Sequence, residues 1–261
     1  MSAAQFVTSL RMYEAGAGAA RAWHNLFERV FDDAGVEVTF LEHRFPQPLG
    51  DLWREEGLLS AFMCGRPFAL SDRNLQPVAA PVPSPARYQS LPRYCSDYVV
   101  RADSGWRRLE DAFGSRFGWM AADSQSGFHA ARNHLATLDP RGEGVFRESI
   151  GPLGNPRKSL EALQEGKVDV VALDSYYLDL ARRHDPALVE NSTVIGHTPW
   201  TPIPLLVAAP GIEGSVVERV REVLLECHEA PGYAPLLEDV LLKRFAVAEV
   251  SLWWHVYGRK D

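Results

Sequence analysis

Three cysteines in 261 residues are too few, too dispersed and odd in number for a disulfide framework. Cys64, Cys95 and Cys227 contain no C-x-x-C pair, so the usual signature of a zinc site is missing as well. No apolar run approaches the length of a bilayer crossing, and no membrane insertion is expected. No lysine- or arginine-rich block offsets the formal net charge of −7, which argues against nucleic acid as a partner. A small anionic ligand stays open, because a local site can be positive in an acidic protein. Residues Met1–Leu10 lack the basic start and apolar stretch of a secretion signal. As written, the chain is expected in the cytoplasm, or in the periplasm if a leader precedes it. Internal repeats and low-complexity tracts are absent too.

What is present is an ordinary globular composition, 46% hydrophobic and 23% charged, in a chain long enough for two lobes. Short apolar runs alternate with helical patterns, which indicates an α/β architecture. Gln5–Met12 reads as a first strand, and Ala22, Leu26, Val30 and Phe31 recur at helical spacing before Gly35. Leu58–Cys64 reads as a buried strand ending at Gly65. Residues 77–92 are proline-rich, so only Val78–Pro81 is expected as strand, with loop beyond it. The segment after Gly232 is expected to be mostly helical.

The richest local signal is Asp123-Ser124-Gln125-Ser126-Gly127, placed between the apolar run Arg116–Ala122 and a helical pattern beginning near Phe128. Gly127 permits a tight turn or close backbone approach, and Ser124 or Ser126 can cap the helix. Hydroxyls and outward N–H groups at the positive end of a helix suit a small anion. An ordinary capped helix is the plain alternative. Later, Val168–Leu173 reads as a buried strand ending in Asp174-Ser175. Asp174 either faces a ligand or caps the helix that follows.

The stretches Ser96–Arg101 and Pro202–Val207 read as connectors. The chain then divides into a discontinuous first lobe, 1–97 plus 203–261, and an inserted second lobe, 98–202, with a ligand cleft between them. Taken in order, Cys64-Gly65-Arg66-Pro67, Tyr98-Val99-Val100-Arg101, Ser124-Gln125-Ser126-Gly127 and Gly166-Lys167-Val168-Asp169-Val170-Val171-Ala172-Leu173-Asp174 resemble a known family. It is that of the phosphate/phosphite/phosphonate substrate-binding proteins of ABC transporters, which have the type 2 periplasmic-binding-protein fold. The resemblance implies two mixed sheets flanked by helices and a protein that closes its lobes on a phosphonate- or phosphate-like ligand. It implies that Ser124, Gln125, Ser126 and Gly127 hold oxyanion oxygens, that Asp174 faces the cleft, and that Tyr13 supplies an aromatic wall. The chain departs from the family in lacking a leader or lipoprotein cysteine and in placing Cys64 at a cleft position.

Other candidates carry competing readings. His197 follows a strand and is either a ligand donor or a structural histidine. Arg93, Arg101 and Arg157 either neutralise an anion or sit at the surface. Trp200 either stacks on ligand or packs. His129 and His134, five residues apart, do not share a helix face as metal ligands would, and are read as structural. Cys64 is either a small buried hydrophobe or a nucleophile on the same scaffold, in thiamine- or pyrimidine-type chemistry. A ligand-sensing module with a signalling partner, instead of a transporter, is the third possibility. No cofactor or metal is implied.

Overall fold

The computed structural model describes residues 6–139 and 141–257. Its strands are β1 (Phe6–Ser9), β2 (Val38–Phe40), β3 (Leu58–Met63), β4 (Gln76–Pro83), β5 (Arg93–Tyr94), β6 (Ser96–Arg101), β7 (Arg116–Gly118), β8 (Glu148–Ile150), β9 (Val170–Asp174), β10 (Ser192–His197), β11 (Thr201–Pro202), β12 (Leu205–Ala208) and β13 (Leu242–Ala246). Its α-helices are α1 (Ala17–Ala34), α2 (Leu49–Leu52), α3 (Gly65–Ala69), α4 (Ala130–Leu138), α5 (Pro156–Gln164), α6 (Ser175–His184), α7 (Pro186–Val189), α8 (Gly214–Glu226), α9 (Tyr233–Asp239) and α10 (Val250–Tyr257). The chain divides into two compact units. One contains the residues up to Arg93 and from Pro202 onward; the other is Tyr94–Thr201.

The first unit holds a six-stranded sheet in the order β13-β4-β12-β3-β1-β2. Strands β1, β2 and β3 are parallel, while β12 runs antiparallel to β3 and to β4. The expected first strand is shorter than the apolar run suggests. It ends at Ser9, a 3-10 turn takes over at Arg11–Tyr13, and Gln5 lies outside the described residues. Helix α1 follows the 3.6-residue period, burying Trp23, Leu26, Phe27, Val30 and Phe31 along one stripe. Each large side chain so buried contributes roughly 1.5–3 kcal/mol. The helix stops at Gly35, whose φ of 62° closes the left-handed cap.

Two expectations hold only in part in this unit. The expected strand Val78–Pro81 is present but longer: β4 runs eight residues and lies between two partners, β12 and β13, with turn and loop only beyond Pro83. Proline lacks the N–H that an interior ladder uses, and β4 meets this with irregular pairing. The register slips beside the partners of Pro77 and Pro83, at Leu206/Val207 and Leu242/Arg244. The segment after Gly232 is mostly helical, as expected, but a strand interrupts it. Leu242 and Phe245 point inward from β13, which closes the sheet edge against β4 between α9 and α10.

The second unit holds a five-stranded sheet in the order β10-β6-β9-β7-β8. Strand β7 is parallel to β8 and β9, and β6 is antiparallel to β9 and β10. Strands β7, β8, β9 and β10 therefore all point their carboxyl ends toward one edge. The segments that lead into α4, α5 and α6 leave from that edge, after β7, β8 and β9. Tyr98, Val100, Phe117, Val170 and Ala172 form the core of this unit with Ile195.

Candidate functional site

The edge of the second sheet is built from its anchor outward. Arg116 grips Asp169 with both guanidinium ends, Nε–Oδ2 2.9 Å and Nη2–Oδ1 2.8 Å, and donates its backbone N–H to the same carboxylate at 3.0 Å. The guanidinium holds the Asp169 carboxyl below the usual carboxylate range. This clamp sets the register of β7 beside β9. Past Gly118 the chain leaves the sheet sooner than the apolar run Arg116–Ala122 suggests. Trp119 and Met120 are instead laced to the loop after β8. Trp119 N–H donates to Ile150 (2.9 Å), while Leu153 and Gly154 donate to Trp119 and Met120 (3.0 and 2.7 Å).

The serine-rich loop then turns. Gln125–His129 forms a wide π-type turn that passes into α4, a geometry often found at functional sites. Ser124 Oγ accepts the Gly127 N–H at 3.0 Å, and the Ser124 carbonyl accepts the His129 N–H at 3.1 Å. The Gly127 carbonyl accepts the Met120 N–H at 3.0 Å. A Cβ at Gly127 would lie 2.5 Å from the Met120 Cβ, so only glycine fits. His129 Nε2 contacts the Ala122 carbonyl at 2.8 Å and staples the loop from below.

The two serines thus differ in role. Ser124 is consumed by the cap. Ser126 and Gln125 are buried, at 6% and 4% exposure, and neither side chain hydrogen-bonds to any described residue. The first-turn N–H groups of Gln125 and Ser126 also precede any carbonyl that the helix could offer them. The loop thus presents hydrogen-bond donors that no described residue accepts.

Asp174 ends β9, one strand away. It is buried, and its Oδ1 accepts from Tyr176 N–H (2.8 Å) and Tyr177 N–H (3.1 Å), capping α6. Around it lies a knot of hydroxyls that sequence reasoning missed. Ser175 Oγ accepts the Cys95 N–H at 3.2 Å, and Thr198 Oγ1 accepts the Ser96 N–H at 2.9 Å. Ser96 pairs with Asp174 across β6 and β9, and its own hydroxyl is sealed without a hydrogen bond. A serine opening an apolar strand carries no sign of which acid it will oppose, so no sequence signal could have found it.

The remaining candidates are spread. His197 ends β10 and is exposed, with Nδ1 2.7 Å from the Thr198 carbonyl and its ring 5.7 Å from that of Trp200. His134 on α4 meets the Tyr98 hydroxyl at 3.0 Å. Arg157 is paired with Asp185, and Arg101 with Asp103 at 3.3 Å. Arg93 is half-buried in β5. Tyr13 and Cys64 belong to the first unit, beyond the ends of its parallel strands β1 and β3. Tyr13 is fully buried, its ring 6.4 Å from Trp23 and 4.9 Å from Phe62. Cys64 is partly exposed and immediately precedes α3. The second unit therefore brings Ser124–Gly127 and Asp174 to one sheet edge. Among the described residues, no three His, Cys, Asp or Glu side chains are arranged to hold a metal ion. No described helix is long and apolar enough to cross a membrane.

Comparison with known proteins identifies the family and the fold. Residues 13–253 match the family model described as ABC transporter, phosphonate, periplasmic substrate-binding protein. A binding protein component of an ABC phosphonate transporter from Pseudomonas aeruginosa superposes with a TM-score of 0.77 at 16% identity, over 96% of this chain and 83% of that one. PhnD1 from Prochlorococcus marinus, solved with methylphosphonate, gives 0.74 at 15% identity, over 97% and 95% of the two chains. XAC2383 from Xanthomonas citri, solved with ATP, gives 0.65 at 16%, over 98% and 96%. No curated protein matches in sequence. These likenesses bear out the expected fold, the type 2 periplasmic-binding-protein class.

Proposed function

Since the chain belongs to the family of phosphonate-binding periplasmic substrate-binding proteins of ABC transporters, we propose that it binds a small phosphonate- or phosphate-like oxyanion at the β7–α4 turn. The observation that carries the reading is the pair Gln125 and Ser126, buried at a helix start with their side chains unpaired. Their hydroxyl, amide and first-turn N–H groups donate to the anion's oxygens. Gly127 keeps the backbone close, and Ser124 holds the turn in shape. The helix terminus adds a favourable field. Asp174 stands by with its cap of α6, as an acceptor for a ligand hydroxyl. Among the described residues no arginine or lysine hydrogen-bonds to this loop, so neutral donors and the helix end would carry the binding energy. Methylphosphonate, the ligand of the Prochlorococcus relative, is the first to try. A membrane-embedded transporter as partner, and the periplasm as location, follow from the family and form part of the same proposal.

Calorimetry with methylphosphonate, phosphate and phosphite tests the reading. Saturable heat is expected from at least one of them. Ligand at about a hundred times its Kd should add about 2.7 kcal/mol to unfolding stability. Ser126→Ala should weaken that ligand by about 1–3 kcal/mol. Heat from none of the three, or unchanged affinity in Ser126→Ala, would overturn the assignment.

A further inference from the structure

A second recess lies in the Tyr94–Thr201 unit, away from the serine-rich turn. It is a groove of about 260 Å³ lined by Leu109, Leu138, Ile195 and Gly196 together with His134 and His197. Arg108 and Glu110 flank it and pair with each other at 3.2 Å. Its lining is shaped by a bulge in β10. The register slips between Val194 and Gly196, which leaves Ile195 as an extra residue driven into the core. Gly196 then contributes no side chain, and the groove stays open.

The two histidines are oriented by the protein, and in complementary ways. His197 Nδ1 lies 2.7 Å from the Thr198 carbonyl. A carbonyl only accepts, so Nδ1 carries the proton and Nε2 is left as an acceptor. His134 Nδ1 lies 3.0 Å from the Tyr98 hydroxyl. Tyr98 is fully buried and has no other side-chain hydrogen-bond partner, so the arrangement that leaves no buried O–H unpaired has its hydroxyl donating there. His134 then carries its proton on Nε2, as a donor. Neither Nε2 meets a hydrogen-bond partner among the described residues. The groups that share the groove with His134 or bond to it are Tyr98 from β6, Arg108 just before and Glu110 within the 3-10 turn at Leu109–Ala112, and His197 from β10. Burial, and then the charge of His197, favour the neutral form of His134. The Arg108–Glu110 pair cancels its own charge, so the groove is close to neutral.

We propose that this groove is a second binding site, for a small uncharged molecule that offers one hydrogen-bond donor and one acceptor beside a short apolar face, as a lactam or primary amide does. The ligand N–H donates to His197 Nε2, the ligand carbonyl accepts from His134 Nε2, and the apolar face lies on Leu109, Leu138 and Ile195. The site is independent of the oxyanion reading, since it shares no residue with the Ser124–Gly127 turn.

NMR titration of the intact protein with 2-pyrrolidinone tests it, read at the Ile195 methyls and the ring protons of His134 and His197. Saturable shifts at those positions are expected. N-methyl-2-pyrrolidinone, which lacks the donor, should bind about tenfold more weakly. Gly196→Leu fills the groove, and the first carbon of its side chain would meet Leu109 only at 3.5 Å, an ordinary contact. That variant should lose the shifts while keeping its methylphosphonate response. The proposal is overturned by non-saturating shifts, by equal affinity for the N-methyl compound, or by shifts that persist in Gly196→Leu. A failure of methylphosphonate, phosphate and phosphite all to bind would sink the oxyanion reading and leave this one standing.

Discussion

The ends of the parallel strands in the two units are finished in opposite ways. Beyond β3 in the first unit, Gly65 opens α3 directly beneath the rings of Trp253 and Tyr257, and a Cβ there would lie 2.5 and 2.4 Å from them. Trp253 is buried with Met63, Phe68 and Leu205, and beyond β1 Tyr13 is locked among Trp23 and Phe62. Beyond β7 in the second unit, the chain instead leaves Gln125 and Ser126 buried and unpaired at a helix start. Similar strand–turn–helix topology thus yields an end filled by the protein's own aromatics and an end whose polar groups lack partners. The difference teaches that topology offers a place for a ligand, while the side chains beyond the strand decide whether the protein fills it itself.

The sharpest way to break that contrast is Trp253→Ala. Removing a fully buried indole should cost about 3–5 kcal/mol in urea unfolding. A loss under about 1 kcal/mol, or a gain in oxyanion affinity, would show that the aromatic filling is not structural. Gly127→Ala comes next, at about 1–3 kcal/mol, because the new methyl must displace Met120. It should also abolish methylphosphonate binding, and retained affinity would mean that the tight turn is not part of the site. Ser124→Ala should cost about 1 kcal/mol by uncapping the turn. Ser126→Ala removes an unpaired hydroxyl and should stay within about 0.5 kcal/mol of the parent. Equal losses in the two serine variants would erase the division of labour between them.

The smallest effect concerns pH. Burial, then His197, hold His134 below its ordinary value of 6.5. As pH falls through that value, the unfolded chain takes up a proton that the folded chain still refuses. Stability therefore falls progressively from about pH 6.5 down to the folded-state value, and the loss persists below it. His43, held down by burial and then by Arg11, acts in the same direction. His134→Gln should flatten only its own share of the slope. An unchanged slope in Tm against pH would mean that His134 titrates normally.

Much of the second unit's site was legible in the sequence. The glycine at 127, a serine cap at 124 or 126 and the strand ending at Asp174 are local features, set by neighbours within a few residues. The 3.6-residue stripe of α1 was legible for the same reason, since one face of a helix reads out its own burial. The full length of β4 was hidden because the fit of its outer prolines depends on slips in two partner strands. Strand β13 was hidden because its inward residues, Leu242 and Phe245, also suit a helix end until β4 claims them.

By itself the sequence determined the α/β rhythm, the family and a serine-rich helix start with a glycine where the backbone must pass close. These follow from short-range sterics, capping and periodicity. Only the tertiary structure decided that Ser124 is spent on the turn while Ser126 is spare, that Tyr13 is enclosed by Trp23 and Phe62, and that Ser96 stands opposite Asp174. Those outcomes depend on which distant groups arrive to share or withhold a hydrogen bond, and no local pattern encodes the arrival.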